Sequence, residues 1–362
     1  MQLSRTLAFL VDAAAETSGA DRLLSELGAR LVADGLPLAA GSLTLDVPHP
    51  LIARRTWLWR ADSGEVIEAL GFAPGGTATG RDARNDAGRR WLGEIAAGLV
   101  HEDRIGSRED GPSLGWIGPR PFTHRESDDL REAARFAAAP LAVLAARATL
   151  SATLEAYLGR RSAARVLAAP LRRDLGETIQ AALLYADLRS FTALSESNPP
   201  AMVIAALDAW FDRIAGAVHA FGGEVLKFIG DGVLAIFPVV DEAPRRACEA
   251  ALRAASAARA GMAHLDEERR AQGLPSLSFG AALHLGEMLW GNIGAANRLD
   301  FTAIGPAVNL VSRLEGLCKP LGRTVLVSGA LAAETETQLI PLGTHPLRGI
   351  ASPCAVFALP EG

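Results

Sequence analysis

Two aspartates lie where a pair of carboxylates could act together. Asp187 ends the apolar run 182–186, and Asp231 lies in a Gly-Asp-Gly turn between the apolar runs 225–229 and 233–237. An Asp-Gly pair between two apolar runs is a strong hairpin signal. If these strands are neighbours in one sheet, both carboxylates converge at one edge, where oxygen ligands suit Mg²⁺ or Mn²⁺ better than zinc. Taken alone, an Asp in such a turn is more often structural.

The residues that follow Asp187 could bind phosphate. Leu188 ends the strand, and Ser190, Phe191 and Thr192 lead into a helical region. Backbone N–H groups at such a strand-to-helix turn are available to an anion.

A second polar set lies on a helix predicted over 306–317. Pro306 fits the first turn of a helix, so Asn309 and Arg313, four residues apart, share one face. Apolar residues cover much of the remaining circumference. The two polar side chains either satisfy a buried network or reach a ligand, and the residues alone favour the buried network.

The elements that must position these residues follow from hydropathy and turn signals. From residue 180 the pattern predicts a strand, a helix, two hairpin strands, an Ala-rich helix and a second hairpin. Their ranges are 182–186, 200–221, 225–229, 233–237, 244–264, 279–284 and 288–292. The order β-α-β-β-α-β is that of a ferredoxin-like palm in an α+β protein. We expect its helices on one face of the sheet, which leaves the other face to a partner or ligand.

The first part of the chain is predicted to form a separate domain of long helices around a small antiparallel sheet. We assign 1–140 to this domain, 141–178 to a helical linker with a basic connector, and 179–362 to the domain that holds the polar sets. An apolar stripe on the linker helix either pairs with a second copy of the chain or belongs to the core of the first domain. Its members are Leu144, Leu150, Leu154 and Tyr157.

Composition restricts the partners. The chain has 362 residues, a formal net charge of −5 with both signs interspersed, and three cysteines. This charge argues against a nucleic-acid or membrane-surface partner, and three cysteines cannot form a disulfide framework. The apolar run 136–146 is too short to span a bilayer and is closed by Arg147. With no signal-peptide pattern at the start, we expect a cytoplasmic protein.

Three segments, in order along the chain, resemble the catalytic domain of class III adenylate and guanylate cyclases. They are 187–192 (Asp-Leu-Arg-Ser-Phe-Thr), 222–232 (Gly-Gly-Glu-Val-Leu-Lys-Phe-Ile-Gly-Asp-Gly) and 300–313. The resemblance covers about 180–330, under half of the chain. It implies conversion of a nucleoside triphosphate to a 3′,5′-cyclic nucleotide with release of pyrophosphate.

The resemblance implies metal and phosphate ligands. Asp187 and Asp231 would hold two Mg²⁺ or Mn²⁺ ions per active site, with the Leu188 carbonyl as an additional ligand. Arg323 would reach the triphosphate.

It also implies substrate contacts and a dimer. Lys227 and Asp300 would read the base, Asn309 would position the ribose, and Arg313 would stabilise the pentavalent phosphorus. In the family the metal carboxylates come from one subunit and the other four groups from its partner. A chain that carries all six would therefore form a homodimer with two equivalent sites.

The residue types at the base positions favour ATP. Lys227 can donate to adenine N1 and Asp300 can accept from the N6 amine, whereas guanine presents a donor and a carbonyl at those places. Each mismatched buried polar group costs about 1–3 kcal/mol. Two alternatives stay open: a cyclase that prefers GTP or a pyrimidine nucleotide, and a catalytically silent nucleotide-binding module.

Two further resemblances concern the rest of the chain. The first domain looks like a GAF-type sensor, as in many bacterial multidomain cyclases, which would take an unidentified small-molecule or protein input. Residues 222–225 resemble the Gly-Gly-Asp/Glu-Glu-Phe signature of diguanylate cyclases. That signature forms a hairpin tip, however, and here Gly222, Gly223 and Glu224 precede a strand, while Val225 and Leu226 do not fit.

Overall fold

The chain forms two compact units, Met1–Tyr157 and Leu158–Gly362. The structure, a computed structural model, describes residues 4–46, 52–72, 86–105, 111–168, 176–295 and 297–360. The boundary at 157/158 lies within the helical linker predicted over 141–178, so the start of that segment belongs to the first unit and its later part to the second. The linker itself stays a prediction. Residues 169–175 of the predicted connector lie outside the described residues.

The first unit is an antiparallel sheet with helices on both faces. Its elements are α1 (Ser4–Asp12), a 3₁₀ turn (Ala14–Glu16), α2 (Ala20–Ala33), β1 (Ala40–Asp46), β2 (Ile52–Arg60), β3 (Val66–Phe72), α3 (Asp86–Ile95), β4 (His101–Arg104), β5 (Ser113–Ile117), α4 (His124–Phe136) and α5 (Ala138–Leu158). The strands lie in the order β3-β2-β1-β5-β4. The main core packs α1, α2, α4 and α5 against one face, and Leu92 of α3 packs on the other. The predicted helices and small sheet are confirmed, and the GAF-like assignment stays a prediction.

Helix α5 has a buried side and an exposed side. Its length of 21 residues and mean hydropathy of 1.2 would allow it to cross a membrane, and no other helix among the described residues passes this test. Leu141 and Leu144, however, are buried in the core of the first unit, as in a core helix of a folded domain. On another side of the helix, Val143, Leu150 and Tyr157 are exposed at seven-residue intervals.

The second unit is built on a large mixed sheet. Its elements are α6 (Arg160–Ala168), β6 (Gly176–Leu188), α7 (Phe191–Ser197), α8 (Pro200–Ala220), β7 (Glu224–Ile229), β8 (Gly232–Pro238), α9 (Pro244–Ala271), β9 (Phe279–Ala295), β10 (Arg298–Ile304), α10 (Pro306–Glu315), β11 (Val325–Ser328), α11 (Gly329–Ala332), β12 (Ile340–His345) and β13 (Cys354–Ala358). The strands lie in the order β12-β13-β11-β9-β6-β8-β7, and β10 pairs with β9. From β6 to β9 the element order along the chain is the predicted β-α-β-β-α-β.

Helices cover both faces of this sheet, contrary to the expectation of a single helical layer. Helices α8 and α9 pack on the face that includes Leu184, and Val311 and Leu314 of α10 pack on the opposite face that includes Leu183. Because side chains alternate along β6, one strand contributes to both cores. The second face is therefore only partly open to a partner or ligand.

The second predicted hairpin, over 279–292, is instead the single strand β9. It pairs along β6 from Leu188↔Phe279 to Gly176↔Gly291, and its far end forms a hairpin with β10. Gly286, which lies between the two strands predicted for this hairpin, is placed where a Cβ atom would come within 2.8 Å of the Ala307 Cβ atom. This glycine allows α10 to approach the sheet, and no turn forms there.

Candidate active site

Asp187 and Asp231 are brought together at one end of the sheet. Asp187 is the penultimate residue of β6, and Asp231 lies in the turn between β7 and β8, of which β8 pairs with β6. The two carboxyl groups lie close enough that Asp231 raises the pKa of Asp187. The convergence predicted from the two motifs is therefore present within one chain.

The surroundings of this acidic pair disfavour the charged form of Asp187. Burial first, then the contact with Asp231, raises the pKa of Asp187 to about 7. One carboxylate oxygen of Asp187, Oδ1, is buried and has no hydrogen-bond partner. Burial and the charges of Asp187, Glu315 and Asp231 also raise the pKa of the neighbouring Tyr185 hydroxyl to about 12. A bound cation would offset this accumulation of carboxylates, and the oxygen donor set fits Mg²⁺ or Mn²⁺.

The protein side chains alone do not complete a metal centre. Among the described residues no group of three or more His, Cys, Asp or Glu side chains is placed to hold a metal ion. Two carboxylates with backbone carbonyl, phosphate and water oxygens are a common environment for Mg²⁺, which usually keeps several ligands from water and substrate. The role of the Leu188 carbonyl stays a prediction.

Two charged residues beside the pair were not singled out from the sequence. Burial raises the pKa of Glu315, an effect opposed by Arg189 and reinforced by Asp231. The Arg189 Nη2 atom donates to the carbonyl oxygen of Arg323 at 2.6 Å. Arg189 lies within the motif 187–192, and Glu315 lies two residues after the motif 300–313. Arg189 interacts with Glu315 and with Arg323, each more than 100 positions away in the chain, so no local pattern indicates these contacts.

Trp210 supports the turn that presents Asp231. Its side chain is fully buried on α8, and its Nε1 atom donates to the Asp231 carbonyl oxygen at 2.8 Å. In the sequence, Trp210 is recognisable only as an apolar residue on the buried side of a helix. The hydropathy pattern is the same whether or not its Nε1 atom also bonds to a turn.

The predicted phosphate segment begins in an unusual conformation. Ser190 has φ of 61° and precedes α7 without a side-chain cap, and the Phe191 side chain packs against the core. Ser190 and Thr192 are exposed. Arg323 is partly buried, with its carbonyl oxygen bound to Arg189. The phosphate roles of these residues stay predictions.

The two base-reading candidates contact each other. Lys227 of β7 donates from Nζ to Oδ2 of Asp300 of β10, and both side chains are partly exposed, at 39% and 49%. The structure thus holds a hydrogen-bond donor and an acceptor side by side at the surface.

Asn309 and Arg313 lie one turn apart on α10 and are exposed. In the part of the chain that the structure describes, neither side chain has a hydrogen bond or ion pair. This corrects the expectation of a buried polar network: the apolar side of α10 faces the sheet, and its polar side faces outward. No hydrogen bond between described residues joins these two side chains to the acidic pair or to the Lys227–Asp300 pair.

Comparison with known families agrees with this arrangement of residues. Residues 176–343 match the family model of the adenylate and guanylate cyclase catalytic domain. The second unit contains a class III cyclase catalytic domain. This cyclase domain includes all eleven of the site residues predicted from the sequence.

Curated relatives of the cyclase domain include adenylate cyclases. Adenylate cyclase 1 of Rhizobium meliloti is 35% identical over 178 residues, 48% of this chain and 26% of its own length. An adenylate cyclase of Anabaena cylindrica is 33% identical over 150 residues, 40% of this chain and 29% of its own length. The matches thus span between a quarter and a third of these relatives.

A solved structure shares the fold over a larger part of the chain. A bacterial light-regulated adenylyl cyclase superposes with a TM-score of 0.53 and 21% identity, covering 72% of this chain and 84% of its own. At this identity the likeness concerns the fold alone.

Proposed function

We propose that this chain is an adenylate cyclase that converts ATP to 3′,5′-cyclic AMP and pyrophosphate in a homodimer. The observation that carries the reaction class is the acidic pair of Asp187 and Asp231, with its buried oxygen that lacks a partner. The family match over 176–343 supports the same chemistry.

The residues of the cyclase domain would share the work as follows. Asp187 and Asp231 would hold two Mg²⁺ or Mn²⁺ ions, which supply acidification of the ribose 3′-hydroxyl and neutralisation of phosphate charge. Asn309 would hold the ribose so that O3′ faces the α-phosphorus. The new bond joins O3′ to this phosphorus, the bond to the bridging oxygen of the β-phosphate breaks, and pyrophosphate leaves. Arg313 would balance the charge on the pentavalent phosphorus.

The ion pair of Lys227 and Asp300 supports ATP as the substrate. A donor beside an acceptor matches adenine N1 and N6, and the partial exposure of both groups leaves them accessible to a base. GTP or a pyrimidine nucleotide as substrate, and a silent nucleotide-binding module, are the outcomes that a substrate panel distinguishes.

The exposed side chains on α10 support a homodimer. Asn309 and Arg313 have no polar contact within the described residues, and the acidic pair forms a separate cluster. We propose that one subunit supplies Asp187 and Asp231 and its partner supplies the base, ribose and phosphorus contacts. Two copies related by a twofold axis then contain two equivalent sites.

The first unit is proposed as the regulatory input, with an unidentified small molecule or protein as its signal. A cytoplasmic location remains part of the same proposal. The chain offers no nucleic-acid-binding charge pattern, since its formal net charge is −5.

The substrate panel is the direct test of the proposed reaction. The purified chain is incubated with each of the four ribonucleoside triphosphates and Mg²⁺ or Mn²⁺, and the products are separated. We expect cyclic AMP and pyrophosphate in equal amounts from ATP. A cyclic product from another nucleotide alone would contradict the ATP assignment, and no product from any of them would contradict the reaction.

A further inference from the structure

The N-terminus of α6 is capped by a residue from a distant strand. The N–H groups of Arg161 and Ser162 each donate at 3.0 Å to the carboxylate of Glu224, and the Ser162 hydroxyl donates to it at 2.8 Å. Arg161 also donates from Nη1 to the Gly222 carbonyl oxygen at 3.2 Å. Carboxylates are favoured at helix N-termini, where unpaired N–H groups concentrate positive charge.

This contact is enclosed. Glu224 is 4% exposed and Ser162 is 2% exposed. Gly159, just before α6, has φ of +82°, and a Cβ atom there would lie 2.9 Å from the Glu224 carboxylate. Buried carboxylates are costly unless their oxygens are hydrogen-bonded, so α6 and Glu224 hold each other in one arrangement.

Glu224 begins the strand that presents Lys227. Glu224 pairs with Ile236 of β8, and the register of β7 shifts between Val225 and Lys227. A bulge of this kind leaves one residue unpaired and reorients the side chains beyond it. Lys227 therefore lies directly after the bulge, and Glu224, which precedes the bulge, is held by its hydrogen bonds to α6.

We propose that Glu224 is a positioning residue for base selection, which transmits the position of α6 through β7 to Lys227. The inference rests on the proposed function, because it assigns to Lys227 the recognition of adenine. The inference goes beyond the proposed function because it makes α6, at the start of the second unit, a determinant of nucleotide specificity. The alternative is a helix cap that contributes to stability alone.

The test compares Glu224→Gln and Ser162→Ala with the unchanged full-length chain. A glutamine removes the negative charge and turns its NH2 group, which cannot accept, towards one side of the cap, so at least one of the three hydrogen bonds is lost. Ser162→Ala removes only the hydroxyl donor. For Glu224→Gln we expect KM for ATP to rise and the ratio of kcat/KM for ATP over GTP to fall, each roughly tenfold, the effect of about one lost hydrogen bond. Ser162→Ala should give a smaller change in the same direction.

Arg165→Gln is the matched control on the same helix. Arg165 contacts Glu177 at 2.7 Å and lies 4.3 Å from the centre of the Trp290 ring, so its loss loosens α6 without touching β7. We expect this variant to keep the ATP over GTP ratio. A Glu224→Gln variant that has lower thermal stability and kcat, but the same KM for ATP and the same ATP over GTP ratio of kcat/KM as Arg165→Gln, would show that the positioning role is wrong.

Hydrogen–deuterium exchange of the β7 peptide separates this inference from the proposed function. Faster exchange across 224–229 in Glu224→Gln, but not in Arg165→Gln, would support the connection even if the wild-type chain makes no cyclic nucleotide. Unchanged exchange in both variants would overturn it, while the substrate panel on the wild-type chain decides the reaction independently.

Discussion

At the residue scale, Asp187, a proposed metal ligand, carries a cost in stability. Its pKa is raised from 3.8 to about 7, so the metal-free folded chain keeps a proton that the unfolded chain releases at lower pH. The contribution of this group to the free energy of unfolding should therefore fall as pH rises from about 4 to about 7 and stay low above that.

Asp187→Asn should abolish turnover and stabilise the metal-free protein at pH 8. After allowance for solvent screening we expect a gain of about 1–2 kcal/mol, absent at pH 4. Thermal unfolding in a chelator at the two pH values measures it, with the exposed Asp208→Asn as control. A stability difference that does not change with pH would contradict this account of Asp187.

Trp210 allows a test of how far the Asp231 turn depends on one hydrogen bond. Trp210→Phe keeps the aromatic packing and removes the donor to the Asp231 carbonyl oxygen. We expect the metal concentration for half-maximal activity to rise about 5–10-fold, the factor given by one hydrogen bond of ordinary strength.

Trp290→Phe is the control for this change, since the buried Trp290 Nε1 atom has no hydrogen-bond partner. It should leave the metal dependence unchanged. Equal effects in the two variants would show that loss of the indole ring, and not of the hydrogen bond, is responsible.

At the element scale, the sequence predicted the order of the cyclase strands because short apolar runs and Gly-Asp-Gly turns are local signals. It missed that β9 is continuous and that α10 covers the second face. Gly286 looks like a turn residue in the sequence, and only the position of Ala307 shows that it serves close packing. Likewise, no local pattern around Glu224 indicates its contact with α6, because Arg161 lies 63 positions earlier in the chain.

Gly286→Ala should disturb α10 through this close approach. The added Cβ atom would meet the Ala307 Cβ atom at 2.8 Å and the His284 Nε2 atom at 2.9 Å. We expect a loss of about 1–3 kcal/mol in the free energy of unfolding, measured by denaturant titration. Gly216→Ala on α8, where no atom lies within 4 Å, should instead be neutral or stabilising by up to about 1 kcal/mol. Equal effects would contradict the packing role of Gly286.

The exposed side of α5 supplies a second element-scale prediction. Val143, Leu150 and Tyr157 are 37%, 52% and 84% exposed at heptad spacing, a pattern typical of helices that pair with a copy of themselves. Leu150→Lys should weaken the dimer about tenfold or more in sedimentation equilibrium. Leu70→Lys, at an exposed leucine of β3 in the same unit, should not. An unchanged dimer affinity in Leu150→Lys would exclude α5 from the interface.

At the scale of the whole molecule, the structure shows which of the predicted site residues meet within one chain, and their roles stay predictions. Asp187 meets Asp231 within one chain because β6 and β8 are paired strands. Lys227 of β7 also contacts Asp300 of β10 within one chain, although these two strands do not pair with each other. Asn309 and Arg313 point away from the core, and the local pattern of α10 cannot tell a face that meets a buried network from one that awaits a second subunit.

The proposed catalytic homodimer is tested most directly by mixing two inactive variants of the full chain. Asp187→Asn lacks a metal ligand and Arg313→Ala lacks the charge that would stabilise the reacting phosphorus, so each alone should form almost no cyclic AMP. If the site is shared between subunits, equal mixing followed by exchange of subunits restores about a quarter of wild-type activity, because half the dimers are mixed and each has one intact site. A mixture that contains mixed dimers and stays as inactive as its components would contradict the account.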